Sequence, residues 1–249
     1  MMNHVYVFDV DGTLTESRGH IDLSFKKWLK AWMRNNNVFF VTGSDYQKTV
    51  EQVGSDLCLL ADAIFNCSGN SITQKGKKIY TSKWSLNDQQ ITWLNDTLQR
   101  SMFTNKTGRH IEKRDGLVNF SIVGRNANPA ERKQYSDYDR RTKERQKIAE
   151  AFNRQFESSG AVAIVAGDTG IDITEAGKDK RQIIKYFMRP DLHVTFVGDS
   201  MFLGGNDYPF AEALREHKPN QHKIVTVKGW KDTWKHLRNL EKINELLGV

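Results

Sequence analysis

The 249-residue chain is poor in cysteine and proline, with two of the first and four of the second. Cys58 and Cys67 make no CxxC pair and read as two free thiols, so neither a disulfide framework nor a cysteine metal site is expected. Four prolines leave no stiff spacer, and no low-complexity linker or internal repeat interrupts the chain. No run of about 18 apolar residues occurs, which excludes a membrane-spanning helix. The chain enters a strand-like segment directly, without a signal-peptide pattern, and with so little cysteine this points to the cytoplasm. The seven histidines are scattered, with no HExxH and no histidine–cysteine cluster. The GxSxG, Walker and GxGxxG motifs are also missing. Zinc hydrolases, serine hydrolases of the α/β type and the common nucleotide-binding loops are thereby set aside.

What is present begins with charge. The formal net charge is +7, from 37 Lys/Arg and 30 Asp/Glu. Residues 100–154 hold 14 basic and 7 acidic side chains, so the middle of the chain carries the whole excess. Such a region suits an anionic metabolite, nucleic acid or plain solubility. Nucleic acid would want aromatic platforms among the cations. Phe103, Phe120, Tyr135, Tyr138 and Phe152 are there, but no RNA-binding signature accompanies them, and no nucleic-acid partner is expected. Arg140, Arg141, Lys143, Arg145 and Lys147 read as the solvated face of one long polar helix.

The patterning divides the chain. "HVYVF" is a short buried-strand pattern. Phe25, Trp28, Leu29, Trp32 and Met33 fall at helical spacing over residues 23–34. "NVFFVTG" is a strand closed by glycine, a helix follows from Asp45 to about Val53, and "ADAIFNCSG" is a third strand and turn. This β-α-β-α-β order predicts a parallel sheet covered by helices. The middle differs. Residues 85–100 suit a helix, "RHIEKRDGLVNFSIVG" a hairpin turning at Asp115-Gly116, and residues 128–156 a single helix started by Pro129. "AVAIVAGDTGIDIT" is a second hairpin, so an antiparallel sheet is expected. The end returns to the first style, with "DKRQIIKYF" helical, "HVTFVGDS" a buried strand and residues 231–247 an amphipathic helix. The expected organisation is a core formed by residues 1–81 and 179–249, interrupted by a second domain over 82–178.

Open parallel sheets bind ligands beyond the carboxyl ends of their strands. Two strands end there in acids: "VYVFDVD" with Asp9 and Asp11, and "TFVGD" with Asp199. Three carboxylates at one edge repel unless a cation sits among them, and hard oxygen donors suit Mg²⁺. A calcium loop fits poorly, because glycine follows the second acid directly and a strand precedes it.

Asp9-Val10-Asp11-Gly12-Thr13-Leu14-Thr15 resembles the first signature of the haloacid dehalogenase superfamily. Thr42-Gly43-Ser44 resembles its phosphate-binding second motif, Lys180 the third-motif lysine, and "GDSMFLGGND" the fourth motif, with Asp199 and Asp207 as its acids. The resemblance implies a Rossmann-like α/β core and an inserted α+β cap domain. It implies that Asp9 is the nucleophile, forming an aspartyl-phosphate. Mg²⁺ would bridge Asp9, the Asp11 backbone carbonyl and Asp199. Lys180 would hold the nucleophile and phosphoryl oxygens, Thr42 or Ser44 would bond the phosphoryl group, and Asp11 would act as acid and then base.

Within the insert, "RDGLVNFSIVGRNANPAER" resembles the cap of eukaryotic-type phosphomannomutases. That resemblance places Arg114, Arg125 and Arg132, with Asn119 between them, at substrate positions, adds Asp172 in "GIDIT" as a sugar contact, and matches Arg18 after the first motif. It implies a hexose phosphate as the small-molecule substrate, a hexose 1,6-bisphosphate activator and a homodimer through the cap. Gly170 and Asp168 stand where the family has serine and glutamine. Two activities therefore stay open: mannose 6-phosphate to mannose 1-phosphate mutase, and sugar-phosphate phosphatase.

Overall fold

The computed structural model describes residues 3–247. The chain opens with β1 (Asn3–Asp9), α1 (Leu23–Trp32), β2 (Asn37–Val41), α2 (Tyr46–Val53), α3 (Ser55–Leu60), β3 (Ala63–Asn66), β4 (Ser71–Gln74) and β5 (Lys77–Thr81). It continues through α4 (Asp88–Arg100), β6 (Ile111–Arg114), β7 (Leu117–Phe120), α5 (Pro129–Thr142), α6 (Glu144–Gln155), β8 (Ala161–Ala166) and β9 (Gly170–Glu175). After a 3₁₀ helix at Lys180–Tyr186 come β10 (Leu192–Gly198), α7 (Tyr208–His217), β11 (Lys223–Thr226) and α8 (Trp230–Leu247). Two compact units result, one from residues 1–80 with 179–249 and one from residues 81–178.

The first unit is built on a seven-stranded sheet in the order β11-β10-β1-β2-β3-β4-β5. Strands β11 through β3 run parallel, whereas β4 pairs antiparallel with β3. The chain leaves β1 toward β2 and later returns to β1's other side as β10. This reversal creates a switch point at the ends of β1 and β10, where such sheets bind ligands. The α/β core and the separate antiparallel sheet are those the sequence predicts. The β4–β5 extension is an addition: "SITQKGKKIYT" is polar, and every residue of β5 is exposed, so its pattern reads as loop.

Packing explains why the sheet holds. On one face Phe25, Leu29 and Trp32 of α1 meet Tyr6, Phe8 and Phe40 of β1 and β2. Trp28, Trp230 and Trp234 close around them, with Phe25 and Trp234 ring centroids 5.6 Å apart. The other face is sealed by Phe187, Phe196 and Phe210. Each such buried aromatic or aliphatic side chain contributes roughly 1.5–3 kcal/mol of transfer free energy.

The second unit is a four-stranded antiparallel sheet, β6-β7-β9-β8, packed on α4, α5 and α6. Phe103, Phe120, Tyr135 and Phe152 are all buried in its core. These four aromatics of the basic stretch are packing residues. The single helix expected over 128–156 is two helices. Asn128 caps α5 reciprocally with Glu131 and Pro129 fills the first turn, but Lys143 adopts φ 56° and ends it. Arg145 also differs from its expected solvated role. Its Nε donates to buried Asp139 at 2.8 Å, and its Nη1 donates to the Gly167 carbonyl at 2.7 Å. The bend at Lys143 turns Arg145 inward, where it ties α5 and α6 to the β8–β9 turn.

Candidate active site

Asp9 is the last residue of β1, and Asp199 follows the last residue of β10. Register Phe8↔Val197 brings the two strand ends side by side. Asp207 stands just before α7, and Lys180 opens the 3₁₀ helix. One oxygen from each of Asp9, Asp199 and Asp207 lies within 4.8 Å of the others. Lys180 lies among them, fully buried. Its Nζ donates to Asp9 Oδ1 at 2.6 Å and to Asp207 Oδ1 at 2.7 Å.

Two glycines let the carboxylates approach. A Cβ on Gly12 would meet Asp199 Oδ2 at 2.5 Å, and φ there is +78°, a conformation side chains rarely adopt. A Cβ on Gly198 would meet Asp207 Oδ2 at 2.5 Å. Between them the chain Val10–Thr15 folds tightly, with the amides of Leu14 and Thr15 donating to the Val10 carbonyl. The Thr233 hydroxyl of α8 donates to the Thr13 carbonyl at 2.7 Å and pins this loop from behind.

The electrostatics follow from burial. Desolvation pushes the Asp9 carboxyl well above the ordinary carboxylate range, opposed by Lys180 and reinforced by Asp207 and Asp199. Asp199 is likewise pushed up, by burial and then by Asp207. Burial works against the Lys180 charge, yet Asp207 and Asp9 outweigh it and hold the ammonium above its usual range. One cation thus serves three acids, which leaves the site short of positive charge.

A divalent cation fits that shortage. Among the described residues Asp9 Oδ2 is buried and lacks any hydrogen-bond partner. The donors are all oxygen, the choice of hard ions such as Mg²⁺. Asp207 is differently placed: Oδ1 accepts from Lys180 and Oδ2 from the Ser200 amide at 3.0 Å. Both its oxygens are occupied, so Asp207 holds Lys180 and the Ser200 turn, while Asp9 keeps an oxygen uncommitted.

Asp11 turns toward the start of the next segment. Its Oδ1 accepts from the Arg18 amide at 2.6 Å and from Gln52 Nε2 at 2.9 Å. Gln52 is almost fully buried, at 2% exposure, and was not singled out in the sequence. The available signal was a glutamine on the helical face of α2 that also carries Thr49 and Val53. Arg18 reaches Asp11 through its backbone, with φ 59°. Thr42 follows β2 and is buried; its Oγ1 accepts from the Ser44 amide at 3.0 Å. The Ser44 carbonyl accepts from the Cys67 amide, which links this loop to the end of β3.

The second unit brings together the other residues named in the sequence. Register pairs Glu112 with Asn119 and Asn119 with Asp172, so the three form a row across the sheet. Asn119 Nδ2 donates to Asp172 Oδ1 at 2.6 Å and Arg125 Nη1 donates to Asn119 Oδ1 at 3.2 Å. Glu112, absent from the sequence-based set, accepts from Arg114 and pairs with Arg125 Nε at 2.8 Å. Arg132 Nη2 lies 3.8 Å from Asp168 Oδ2. Burial pushes the Asp172 carboxyl up, against Arg114, Asn119 and Arg125. A Cβ on Gly170 would lie 2.6 Å from Asn119 Nδ2, so the missing side chain makes room for that amide.

A switch-point sheet whose first strand ends in an acid bonded to a lysine, with a second acid-bearing strand end beside it, defines the haloacid dehalogenase type of phosphoryl-transfer core. The C-terminal domain of trehalose-6-phosphate phosphatase from C. albicans has this fold, with TM-score 0.67, 12% identity and coverage of 97% of this chain and 93% of that one. The sequence profile of the eukaryotic phosphomannomutase family matches residues 25–243, and the chain belongs to that family. It is 31% identical over 250 residues to the probable phosphomannomutase of Caenorhabditis elegans, covering 96% of this chain and 95% of the relative. It is 29% identical over 215 residues to the phosphomannomutase of Saccharomyces cerevisiae, covering 81% and 82%. The chain is thus an enzyme of the phosphotransferase and isomerase class.

Proposed function

We propose that the enzyme transfers a phosphoryl group between the 6- and 1-positions of a hexose, mannose 6-phosphate to mannose 1-phosphate, through a covalent phosphate on Asp9. The observation that carries this reading is the uncommitted Asp9 Oδ2 beside a lysine that holds Oδ1 in place. The carboxylate oxygen attacks phosphorus, the phosphorus–oxygen bond to the sugar breaks, and Asp11 gives the leaving oxygen a proton. Asp11 then takes a proton from the receiving hydroxyl, which attacks the aspartyl-phosphate and frees Asp9. Lys180 keeps the nucleophile oriented and balances phosphoryl charge. Thr42 and Ser44 supply phosphoryl hydrogen bonds. Mg²⁺ held by Asp9, Asp199 and the Asp11 carbonyl would neutralise charge on the phosphate. A hexose 1,6-bisphosphate would prime Asp9.

In this proposal Arg114, Arg125 and Arg132 hold substrate phosphate through guanidinium forks, with Asn119, Asp172 and Arg18 as further substrate contacts. By the family pattern the enzyme is a homodimer through the cap, which light scattering would read directly. A cytoplasmic setting fits two buried free thiols, and no described helix is long and apolar enough to cross a membrane.

A second reading, a sugar-phosphate phosphatase, has a specific observation behind it. Glu112 engages Arg114 and Arg125, Asp168 sits near Arg132, and Gly170 brings no hydroxyl. The arginines are already balanced by carboxylates, which weakens a second phosphate grip. Water would then take the phosphoryl group from Asp9. A panel of sugar phosphates assayed with and without hexose 1,6-bisphosphate, with Asp9→Asn as control, separates the two. Isomerised sugar supports the mutase; free phosphate without isomerised sugar supports the phosphatase. Turnover of Asp9→Asn near the wild-type rate removes both.

A further inference from the structure

The second unit carries a cleft apart from the row of Glu112, Asn119 and Asp172. It lies among α4, α5 and α6, on the helical layer, and has a volume of about 460 Å³. That is within the range of roughly 300–1,000 Å³ typical of small-ligand sites. Trp93 of α4, Tyr138 of α5 and Ile148 of α6 line it, with Arg100, Glu144 and Lys147.

Its polar groups are unbalanced. Glu144 is the one acid on the lining, and it is used up: Oε1 accepts from Ser101 Oγ at 2.6 Å and Oε2 from the Tyr135 hydroxyl at 3.0 Å. The two cations have no such partner. Lys147 makes no side-chain bond among the described residues, and Arg100 makes only a 3.4 Å contact to Thr97 Oγ1. Both are exposed to solvent and remain available to a guest. The Trp93 indole N–H and the Tyr138 hydroxyl make no hydrogen bond among the described residues.

The aromatic rings are held firmly. Trp93 rests edge-on against Phe152, with centroids 5.6 Å apart, and Tyr138 stacks on Tyr135 at 6.2 Å. Ring orientation is therefore set before any guest arrives, which lowers the ordering cost of binding. Planar apolar surface, spare donors and two uncommitted cations ask for one kind of guest: a flat ring joined to a phosphate. Stacking satisfies the rings, and guanidinium and ammonium groups satisfy the phosphate.

We propose that this cleft is a second ligand site, which binds a nucleoside monophosphate or a phosphate ester of similar ring-plus-anion chemistry. No bond is made or broken there. The site uses none of the residues assigned to phosphoryl transfer, so it stands or falls separately from that reading.

The test is calorimetric titration of the full chain with adenosine 5′-monophosphate, adenosine and inorganic phosphate, with and without saturating mannose 6-phosphate. The expected result is one saturable nucleotide site unaffected by the sugar phosphate, with adenosine and phosphate each at least tenfold weaker. In Arg100→Gln/Lys147→Gln nucleotide affinity should fall at least tenfold while turnover of the sugar phosphate is unchanged. Tyr138→Leu, which keeps both cations, should also weaken the nucleotide and leave inorganic phosphate as before. No saturable binding, displacement by mannose 6-phosphate, or undiminished affinity in both variants overturns the proposal.

Discussion

Lys180 Nζ lies 2.6 Å from Asp9 Oδ1, a contact between residues 171 positions apart that is shut away from solvent on both sides. Asp207 completes the bridge at 2.7 Å. Lys180→Met keeps the length of the side chain and removes the charge, leaving buried carboxylates without a cation. Breaking a buried pair in this way costs roughly 3–5 kcal/mol. Urea unfolding of the variant should show a loss of that order, together with loss of phosphoryl transfer. A variant as stable as the wild type would mean that the bridge contributes nothing net.

Gln52 places one hydrogen bond on Asp11, and the Arg18 amide places another. Gln52→Leu fills a similar volume without the donor. Asp11 then loses half of its support, and the proton transfer proposed for it should slow by up to about 100-fold, the low end of what a positioned acid or base contributes. KM should move little, and the pH profile of kcat should shift, a signature that a packing defect alone does not produce. Gln52→Glu restores the shape but repels Asp11, and should rescue nothing.

Gly12 allows Asp199 to come close. Gly12→Ala sets a methyl group against Asp199 Oδ2 and forces a left-handed conformation costing roughly 1–2 kcal/mol. Asp199 must retreat, so the Mg²⁺ concentration for half-maximal activity should rise. An unchanged Mg²⁺ requirement would separate Asp199 from the ion.

His222 links the start of β10 to the end of α7. Its Nδ1 accepts from the Val194 amide, and its Nε2 pairs with His217 Nδ1, both at 3.3 Å. Burial first, then His217, His193 and Lys218, push its pKa down to about 4 from the ordinary 6.5. The unfolded chain therefore binds a proton in this interval that the folded chain refuses. Stability is full above pH 6.5 and falls as pH drops toward 4. Thermal midpoints recorded across that interval should decline, and His222→Asn, which does not titrate, should decline less steeply.

Arg145→Ala removes the tie between Asp139 and the β8–β9 turn. A hydrogen bond to a charged group is worth about 1.5–3 kcal/mol. Unfolding followed through near-ultraviolet signals should show a loss in that range, whereas Arg140→Ala, which loses only an exposed ion pair with Asp137, should stay within about 0.5 kcal/mol.

The parallel core, the two hairpins of the insert and the acids at strand ends were legible because they depend on local pattern. A buried parallel strand must be apolar, and a tight turn must carry residues such as Asp115-Gly116. The β4–β5 extension was hidden because its strands are polar and carry little periodic signal. The break at Lys143 was hidden because a lysine in the left-handed region leaves the amphipathic pattern almost intact. Gln52 and Glu112 were missed for a related reason: each works through a partner brought near by folding, and neither belongs to a compact motif.

The sequence by itself determined which groups are available: a strand-end carboxylate two residues from a second acid, a lysine, a further acidic strand end and an arginine-bearing insert. Local rules suffice there, since strand pattern, turn residues and motif spacing act over a few positions. Only the tertiary structure decided how those groups are shared. It tied Asp207 to Lys180 and the Ser200 amide, left one oxygen of Asp9 open, bound Asp11 to Gln52, and set Glu112 against two arginines. Such pairings depend on distances between chain segments far apart in sequence, and those distances exist only once the sheets and helices have packed.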